Sequence, residues 1–462
     1  MTSWAPELPV DGGDHYWAIV SALARDIGTG TLKPGQRLPP HRELAEQLGL
    51  AVGTVTKAYS EAKRLGYIRS TVGSGTFVRE HPLKERRRLM TDREEVGRVD
   101  LSFSKPILFA NHLDLFRKAL EEQARSETIE KLLSYHRPWI GFESHRRTGR
   151  KWMLQLGYEA EPGDIAVVSG AQHGLSVALL TSARAGDIIA TEALIDPSTR
   201  LLLGGLGLNI RGVAMDRHGI LPDAFADVCR SEKIRALLCV PDHHSPTLAV
   251  WPAERRQAIA EIAQRHGVTI IENAVYRPLA GTDQKPLASY APEISYFCSS
   301  VSKFAVPGLR VGFLAVPPGH IDDIVLGLGT TLWMTSPLTA EIVCQWIETG
   351  RMDDLLDMQR TELAARNAIA AEVLEGTDYA ALPTGLHVWL RLPERWRSSA
   401  FEREARASGV LVSAGEVFAT AQAPDAVRIS LGGGAETREA LTNSLSTVKA
   451  LLNRKVGSIL DF

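Results

Sequence analysis

From about Asp100 onward the chain alternates short β-type apolar runs with helical stretches. The runs are IAVVS, DIIAT, IRALLCV, VTIIENAV, ISYFCSS and RVGFLAV, and helical segments such as Glu254 to His266 lie between them. Parallel strands need a long crossover, normally a helix, so this rhythm predicts an α/β body with a mostly parallel central sheet covered on both faces. Residues 335–375 are strongly helical in pattern, and LHVWLRL, GVLVSAG and AVRISL indicate a smaller α+β C-terminal portion. At 462 residues, with 44% hydrophobic and 23% charged residues, the composition is globular and the length suffices for a sizeable core.

The front of the chain has a different texture. Residues 14–78 read as a compact unit that begins with a helix from His15 to Ile27, with Trp17, Val20, Leu23 and Ile27 at helical spacing. It stops at GTGTLKPGQ, a cluster of turn residues. A short helix from His41 to Leu48 follows Pro39-Pro40, and a second runs from about Val52 to Leu65. Two β-type runs, Tyr67-Ile68-Arg69 and Thr76-Phe77-Val78, are joined by STVGSG. The order is helix, helix-turn-helix, two-stranded wing. Residues 79–99 are nearly all polar and read as a charged linker, in which Arg86-Arg87-Arg88 is expected to be solvated. Residues 100–462 form the body. Charge follows the same division: residues 14–90 hold 13 Lys and Arg against 7 Asp and Glu, in a chain whose net charge is −2.

From spacing alone this helix-turn-helix is as compatible with a mere packing unit as with a DNA reader. The second helix of the pair has Val55, Ala58, Tyr59, Ala62 and Leu65 on one face, and its first turns offer Gly53, Thr54, Thr56 and Lys57. Small polar residues there let a helix enter a major groove and donate to phosphates and base edges. Arg42 opens the preceding helix, and Gly73 at the wing tip permits close backbone approach. The segment LKPGQRLPPHRELAEQLGLAVGTVTKAYSEAKRLGYIRSTVGSGTFV closely resembles the winged helix of the GntR-type regulators, through PGQRLP, RELAEQLG, TVTKAY, GYI and GSGTFV. The resemblance implies binding to double-stranded operator DNA. It departs at Val52, where a basic residue is common, so base readout is expected to lean on Thr54, Thr56 and Lys57.

The body carries a second set of chemically matched groups. SSVSKFAVPGLRVGF places Lys303 after a strand with Ser300, Ser302 and Arg310 nearby, and VVSGAQHGL sets Gly170, Ala171 and Gln172 between a strand and a helix. Hydroxyls, an arginine and a helix N-terminus are what a cofactor phosphate needs. Each segment alone is also compatible with an ordinary βα loop or surface turn. Together with VPDHHSPT, IIENAVY and AVRISL they resemble the fold-type I aminotransferases over essentially all of residues 100–462. The resemblance implies pyridoxal 5'-phosphate as cofactor and Lys303 as the Schiff-base lysine. It implies Ser300 and Arg310 on the cofactor phosphate, Tyr276 on the ring's phenolic oxygen, and Arg428 on the carboxylate of an amino compound. Tyr135 resembles the tyrosine that reaches a neighbouring subunit's phosphate, which implies a homodimer. A GntR-type winged helix fused to such a body is the layout of the MocR-type transcriptional regulators, and the resemblance covers both domains and the linker.

Three positions depart from the enzymes. Where an aspartate keeps the pyridine nitrogen protonated, this chain has Asn273, and an amide cannot hold a proton by charge. Glu272, one position away on the strand, is expected to face the opposite side. Ser245 stands where enzymes carry an asparagine to the phenolic oxygen, and Asp196 where an aromatic residue is common. These departures favour a sensor that binds cofactor and an amino compound covalently and turns it over poorly. The competing readings are a working aminotransferase with an attached DNA-binding module, and a regulator whose body merely dimerises.

The remaining features exclude other classes. Four scattered cysteines without a CxxC pair fit reduced thiols, and neither a signal peptide nor a run of 18 apolar residues is present, so a cytoplasmic protein off the membrane is expected. Asp242-His243-His244 looks like a metal cluster, but adjacent side chains at a strand end diverge and no third ligand is spaced to help, so no metal is expected. Basic His243 and His244 are placed near the pocket mouth, where they would receive an anionic group. Trp333, Trp346 and Trp389 sit in apolar contexts and are assigned to core packing.

Overall fold

The computed structural model describes residues 4–6, 15–28, 31–33, 35–64, 67–71, 75–78, 97–134 and 136–454. Gly73, Tyr135 and residues 79–96, which include most of the charged linker, lie outside the described residues. The chain divides into two compact units, Met1–Val96 and Gly97–Phe462.

In the first unit, helices α1 (His15–Gly28), α2 (His41–Leu48) and α3 (Val52–Arg64) precede strands β1 (Ile68–Thr71) and β2 (Gly75–Val78). The strands pair antiparallel from Ile68 opposite Val78 to Thr71 opposite Gly75. Ile19, Val20, Leu23 and Ile27 of α1 pack with Leu44 and Ala45 of α2 and with Val55, Ala58, Tyr59 and Ala62 of α3 in one core. Of the helical spacing read in the sequence, Val20, Leu23, Ile27, Val55, Ala58, Tyr59 and Ala62 therefore face inward, and Leu65 and the side chain of Trp17 lie outside what the structure describes. Between α2 and α3 the chain turns at Gly49, whose φ of 64° is left-handed and whose N–H closes on the Glu46 carbonyl. The hydroxyl of buried Tyr59 donates to the Pro39 carbonyl at 3.0 Å, tying α3 to the entrance of α2.

The second unit is built on a seven-stranded sheet. Its strands are β3 (Ile165–Val168), β4 (Ile188–Glu192), β5 (Asn209–Val213), β6 (Ile234–Cys239), β7 (Thr269–Asn273), β8 (Ser295–Ser300) and β9 (Gly312–Ala315). The spatial order is β3-β9-β8-β7-β6-β4-β5. β5, β4, β6, β7 and β8 pair parallel, whereas β9 is antiparallel to both β8 and β3. Crossover helices cover both faces and bury separate apolar clusters against each, as double-sided burial of Val-, Ile- and Leu-rich strands requires. The smaller C-terminal portion is an antiparallel sheet whose central strands are β10 (His387–Arg391) and β11 (Ala426–Ser430).

Two tryptophans follow the expectation and one does not. Trp346 and Trp389 are buried, but Trp333 is 53% exposed. It follows the C-cap of the short helix Val325–Thr331 with a φ of 66° and lies against Trp139 at 6.0 Å. The positive φ points its side chain away from the apolar face that the sequence pattern suggested.

Candidate functional site

In an open parallel sheet, groups following the C-terminal ends of the strands gather along one edge, where ligands bind. Here that edge collects Ser169 and Gly170 after β3, Asp196 after β4, Ser245 after β6, Tyr276 after β7 and Lys303 after β8. Because β9 runs the opposite way, its start delivers Arg310 to the same edge. The reversed strand is what brings Arg310 beside Gly170.

Two sets of groups form there. In the first, helix α4 (Gly170–Ser182) points its N-terminus at the cleft, so the N–H groups of Gly170, Ala171 and Gln172 have no helical acceptor. Arg310 lies across this terminus, donating to the Ser302 hydroxyl and the Ser169 carbonyl, each at 3.4 Å. Ser300 Oγ accepts from the Ser302 N–H at 3.1 Å. The cradle depends on missing side chains. Gly170 has φ +77°, and a Cβ there would come within 2.6 Å of the Arg310 guanidinium. A Cβ on Gly312 would lie 2.6 Å from the Ser299 carbonyl and 3.3 Å from the backbone of Gly170. An arginine, two hydroxyls and three helix-terminal N–H groups around an open cradle fit a phosphate monoester.

The second set surrounds Lys303. This residue sits in a short 3₁₀ turn, Val301–Lys303, directly before Phe304, which stacks on buried Trp152 at 5.6 Å. The Trp152 indole donates to Ser299 at 3.3 Å, so the turn is clamped from below. Lys303 Nζ donates to the Ser104 carbonyl at 2.9 Å and lies 5.2 Å from the centre of the Tyr276 ring. Asn273 ends β7, and its Oδ1 accepts from the Val275 N–H at 3.3 Å. That bond leaves its Nδ2 as the group able to donate to a ring nitrogen. Glu272 does face the other way, buried with Oε2 accepting from the Ala288 N–H at 2.7 Å.

Behind the pocket, Asp242 is buried between Arg256 at 2.5 Å and Arg277 at 2.7 Å. Burial disfavours its charge, but the two guanidiniums hold the carboxyl below its ordinary range. This pair of ion pairs fixes the loop after β6 and the turn carrying Tyr276. Asp242 is thereby committed to arginines, and among the described residues no group of three side chains is arranged to hold a metal ion.

The histidines following Asp242 correct an expectation. His243 and His244 are both buried, and burial pushes each down to about 4, so both are neutral at ordinary pH. His244 Nε2 meets the Leu194 carbonyl at 3.0 Å and its Nδ1 meets the Thr247 hydroxyl at 2.8 Å, so it is saturated internally. Neither is a basic group at a pocket mouth. Desolvation overrides the charge that their residue type suggests.

Arg428, on β11, is in the pocket but already engaged. It donates to Ser245 Oγ at 2.8 Å, to the Ser102 carbonyl at 2.9 Å and to Asp196 Oδ2 at 3.2 Å, and packs 4.7 Å over the Phe418 ring. Burial would raise the Asp196 carboxyl, but Arg428, Lys303 and Ser198 together hold it below the usual carboxylate range. Asp196 was legible as a departure, but nothing local in the sequence linked it to Arg428. His387, also unforeseen, lies edge-on to Tyr276 at 6.4 Å and donates from Nε2 to the Pro246 carbonyl at 3.1 Å.

On the first unit, Gly53, Thr56 and Lys57 of α3 are exposed, as is Arg42 of α2, and Thr54 is half-buried. Thr56 Oγ1 and His41 Nδ1 are 3.1 Å apart, and Lys57 Nζ lies 3.7 Å over the Tyr16 ring. The polar face of α3 is therefore preset by side chains of α1 and α2, with His41 an addition to the set read from the sequence.

Comparison with known proteins agrees with both units. Residues 98–445 match the family model described as aminotransferase class I and II, and residues 15–78 match the bacterial regulatory proteins of the gntR family. The chain is 29% identical over 454 residues to the uncharacterized HTH-type transcriptional regulator YdeF of Bacillus subtilis, covering 98% of this chain and 97% of that one. It is 26% identical over 386 residues to the HTH-type pyridoxine biosynthesis transcriptional regulator PdxR of Corynebacterium glutamicum, covering 80% and 82%. Among solved structures, a kynurenine aminotransferase of Pyrococcus horikoshii superposes with a TM-score of 0.72 at 18% identity, covering 81% of this chain and 95% of that one. The chain thus belongs to the aminotransferase class I and II family and carries a gntR-family domain ahead of it, the two-part composition of the MocR-type regulators.

Proposed function

We propose that this protein is a DNA-binding transcriptional regulator that reads an amino compound through pyridoxal 5'-phosphate held covalently by Lys303, with little or no transaminase turnover. The observation that carries the reading is Lys303, clamped by Phe304 and Trp152 on the same sheet edge as an open phosphate cradle. Gly170, Ala171, Gln172, Ser300 and Arg310 would hold the phosphate, Tyr276 would border the ring, and Tyr135 would act across a homodimer. Bound there, the cofactor supplies an aldehyde for an amine and an electron-withdrawing ring.

The residues around it favour binding over turnover. Ring protonation is what makes the cofactor a strong electron sink, and Asn273 offers an amide donor in place of a carboxylate charge. Covalent capture of an amine does not need that charge. Thr54, Thr56, Lys57 and Arg42 of the first unit, with Gly73 at the wing, would contact operator DNA in the cytoplasm. Among the described residues no helix is long and apolar enough to cross a membrane. An amino compound changes DNA binding only through unequal affinity for two arrangements of the protein.

The test is the visible absorption spectrum of the purified protein and of Lys303→Ala, titrated with amines and then with a keto acid. A band that requires Lys303, shifts with an amine and persists without steady turnover is expected. Steady turnover would establish a working aminotransferase instead, and a spectrum indifferent to Lys303 would remove the cofactor from the function.

A further inference from the structure

The pocket contains a carboxylate of its own. Asp196 is the N-cap of helix α5 (Pro197–Gly205), with Oδ1 accepting from the Ser198 N–H at 3.0 Å and from its hydroxyl at 2.7 Å. That cap leaves Oδ2 directed at Arg428, 3.2 Å away. The remaining hydrogen bonds of Arg428 go to the Ser245 hydroxyl and the Ser102 carbonyl, and its guanidinium lies over the Phe418 ring. The arginine side chain is 5% exposed, so its charge is answered inside the protein and not by solvent.

A ligand carboxylate reaching Arg428 would therefore have to displace Asp196, not water. The displaced carboxylate cannot swing far, because its other oxygen caps α5. Two anions would then share one guanidinium in a partly desolvated cleft, an arrangement that disfavours both charges. An uncharged ligand end meets no such penalty. A hydroxyl there can donate to Asp196, whose side chain is 34% exposed, beside the Ser245 hydroxyl on Arg428. Burial and the Arg428 charge hold His387 well below its ordinary range, so it adds no cation to attract an acid.

We propose that Asp196 occupies the place of a ligand carboxylate on Arg428, so that the pocket selects primary amines with an uncharged, hydroxyl-bearing end over amino acids. The inference rests on the covalent-cofactor reading above and specifies which amine that site takes. It also assigns Asp196 as a specificity-determining residue.

The probes are two pairs that differ only in a carboxylate against a hydroxymethyl group: alanine with alaninol, and 4-aminobutanoate with 4-amino-1-butanol. Half-saturating concentrations are read from the Lys303-dependent band, and the rise in melting temperature with each ligand is a second readout. The native protein should favour the amino alcohols by about tenfold or more, the scale of one uncompensated charge contact. Asp196→Asn keeps an oxygen to cap α5 and removes the charge. In that variant the amino acids should gain about tenfold, and adding Arg428→Ala should abolish the gain. Amino acids favoured equally by the native protein and Asp196→Asn, with a normal band, would overturn this inference alone. A protein without the Lys303-dependent band would overturn the reading on which it rests, and this inference with it.

Discussion

Glu192 shows what one buried residue does to the whole protein's response to pH. It ends β4 fully buried, with Oε1 accepting from the Val240 N–H at 2.8 Å, and burial pushes its carboxyl up to about 7. The unfolded chain releases this proton near 4.5, so between 4.5 and about 7 the folded state holds the extra proton. The stabilisation is complete below the unfolded value and is lost as pH rises through the folded one. The whole swing amounts to about 3 kcal/mol. Glu192→Gln keeps an acceptor for Val240 and has nothing to titrate. Melting temperatures should therefore favour the variant progressively from pH 5 to pH 8, and a constant difference across that range would contradict the assignment. Residue type and spacing drew attention to Lys303 and Arg310, but it was the family resemblance that gave them roles and that marked Asn273 and Asp196 as departures. Neither was enough for the Arg428–Asp196 pair, whose members are 232 positions apart, or for the neutrality of His243 and His244. Pairing and desolvation are properties of the folded neighbourhood, and no local pattern encodes them.

At the scale of elements, helix α4 depends on its first residue. Gly170 adopts φ +77°, where an L side chain is strained, and a Cβ there meets the Arg310 guanidinium. Gly170→Ala should cost about 1 kcal/mol in backbone strain and push Arg310 off the cradle. Cofactor retained after dialysis, measured by absorbance, should fall by about tenfold while the fold persists by circular dichroism. Unchanged retention would mean that Arg310 can shift without loss of phosphate binding. The positions of elements were readable because burial imposes a period: α2 and α3 fall at His41–Leu48 and Val52–Arg64, close to where the spacing put them. Direction was not readable. The run RVGFLAV looks like its neighbours, yet β9 is reversed, because strand direction depends on how the chain arrives and not on side-chain period. Trp333 misled for a related reason, since its apolar neighbours in sequence say nothing of the left-handed φ that turns it outward.

For the whole molecule, the proposed homodimer carries two copies of α3, so operator recognition should involve two half-sites related by the dimer's symmetry. Footprinting on operator DNA should reveal paired protected segments, and halving the operator should weaken binding by far more than twofold. Equal affinity for a single half-site would argue for a monomeric reader. The division of charge visible in the sequence supports this assignment of labour, because residues 14–90 carry a positive balance, 13 Lys and Arg against 7 Asp and Glu, while the chain as a whole carries −2.

The entry of the chain into the body would link the proposed reader to the pocket. The second compact unit begins at Gly97, and the two-residue strand Val99–Asp100 pairs at once with Val410–Leu411. The carbonyls that next leave this strand, Ser102 and Ser104, are those that hold Arg428 and Lys303. The chain therefore enters the body along the wall of the candidate site. If Lys303 held the proposed cofactor, its Nζ would be drawn from the Ser104 carbonyl, seven residues from Gly97. In the proposed sensor, the anchor of the tether and the gauge of the ligand would be the same strip of backbone.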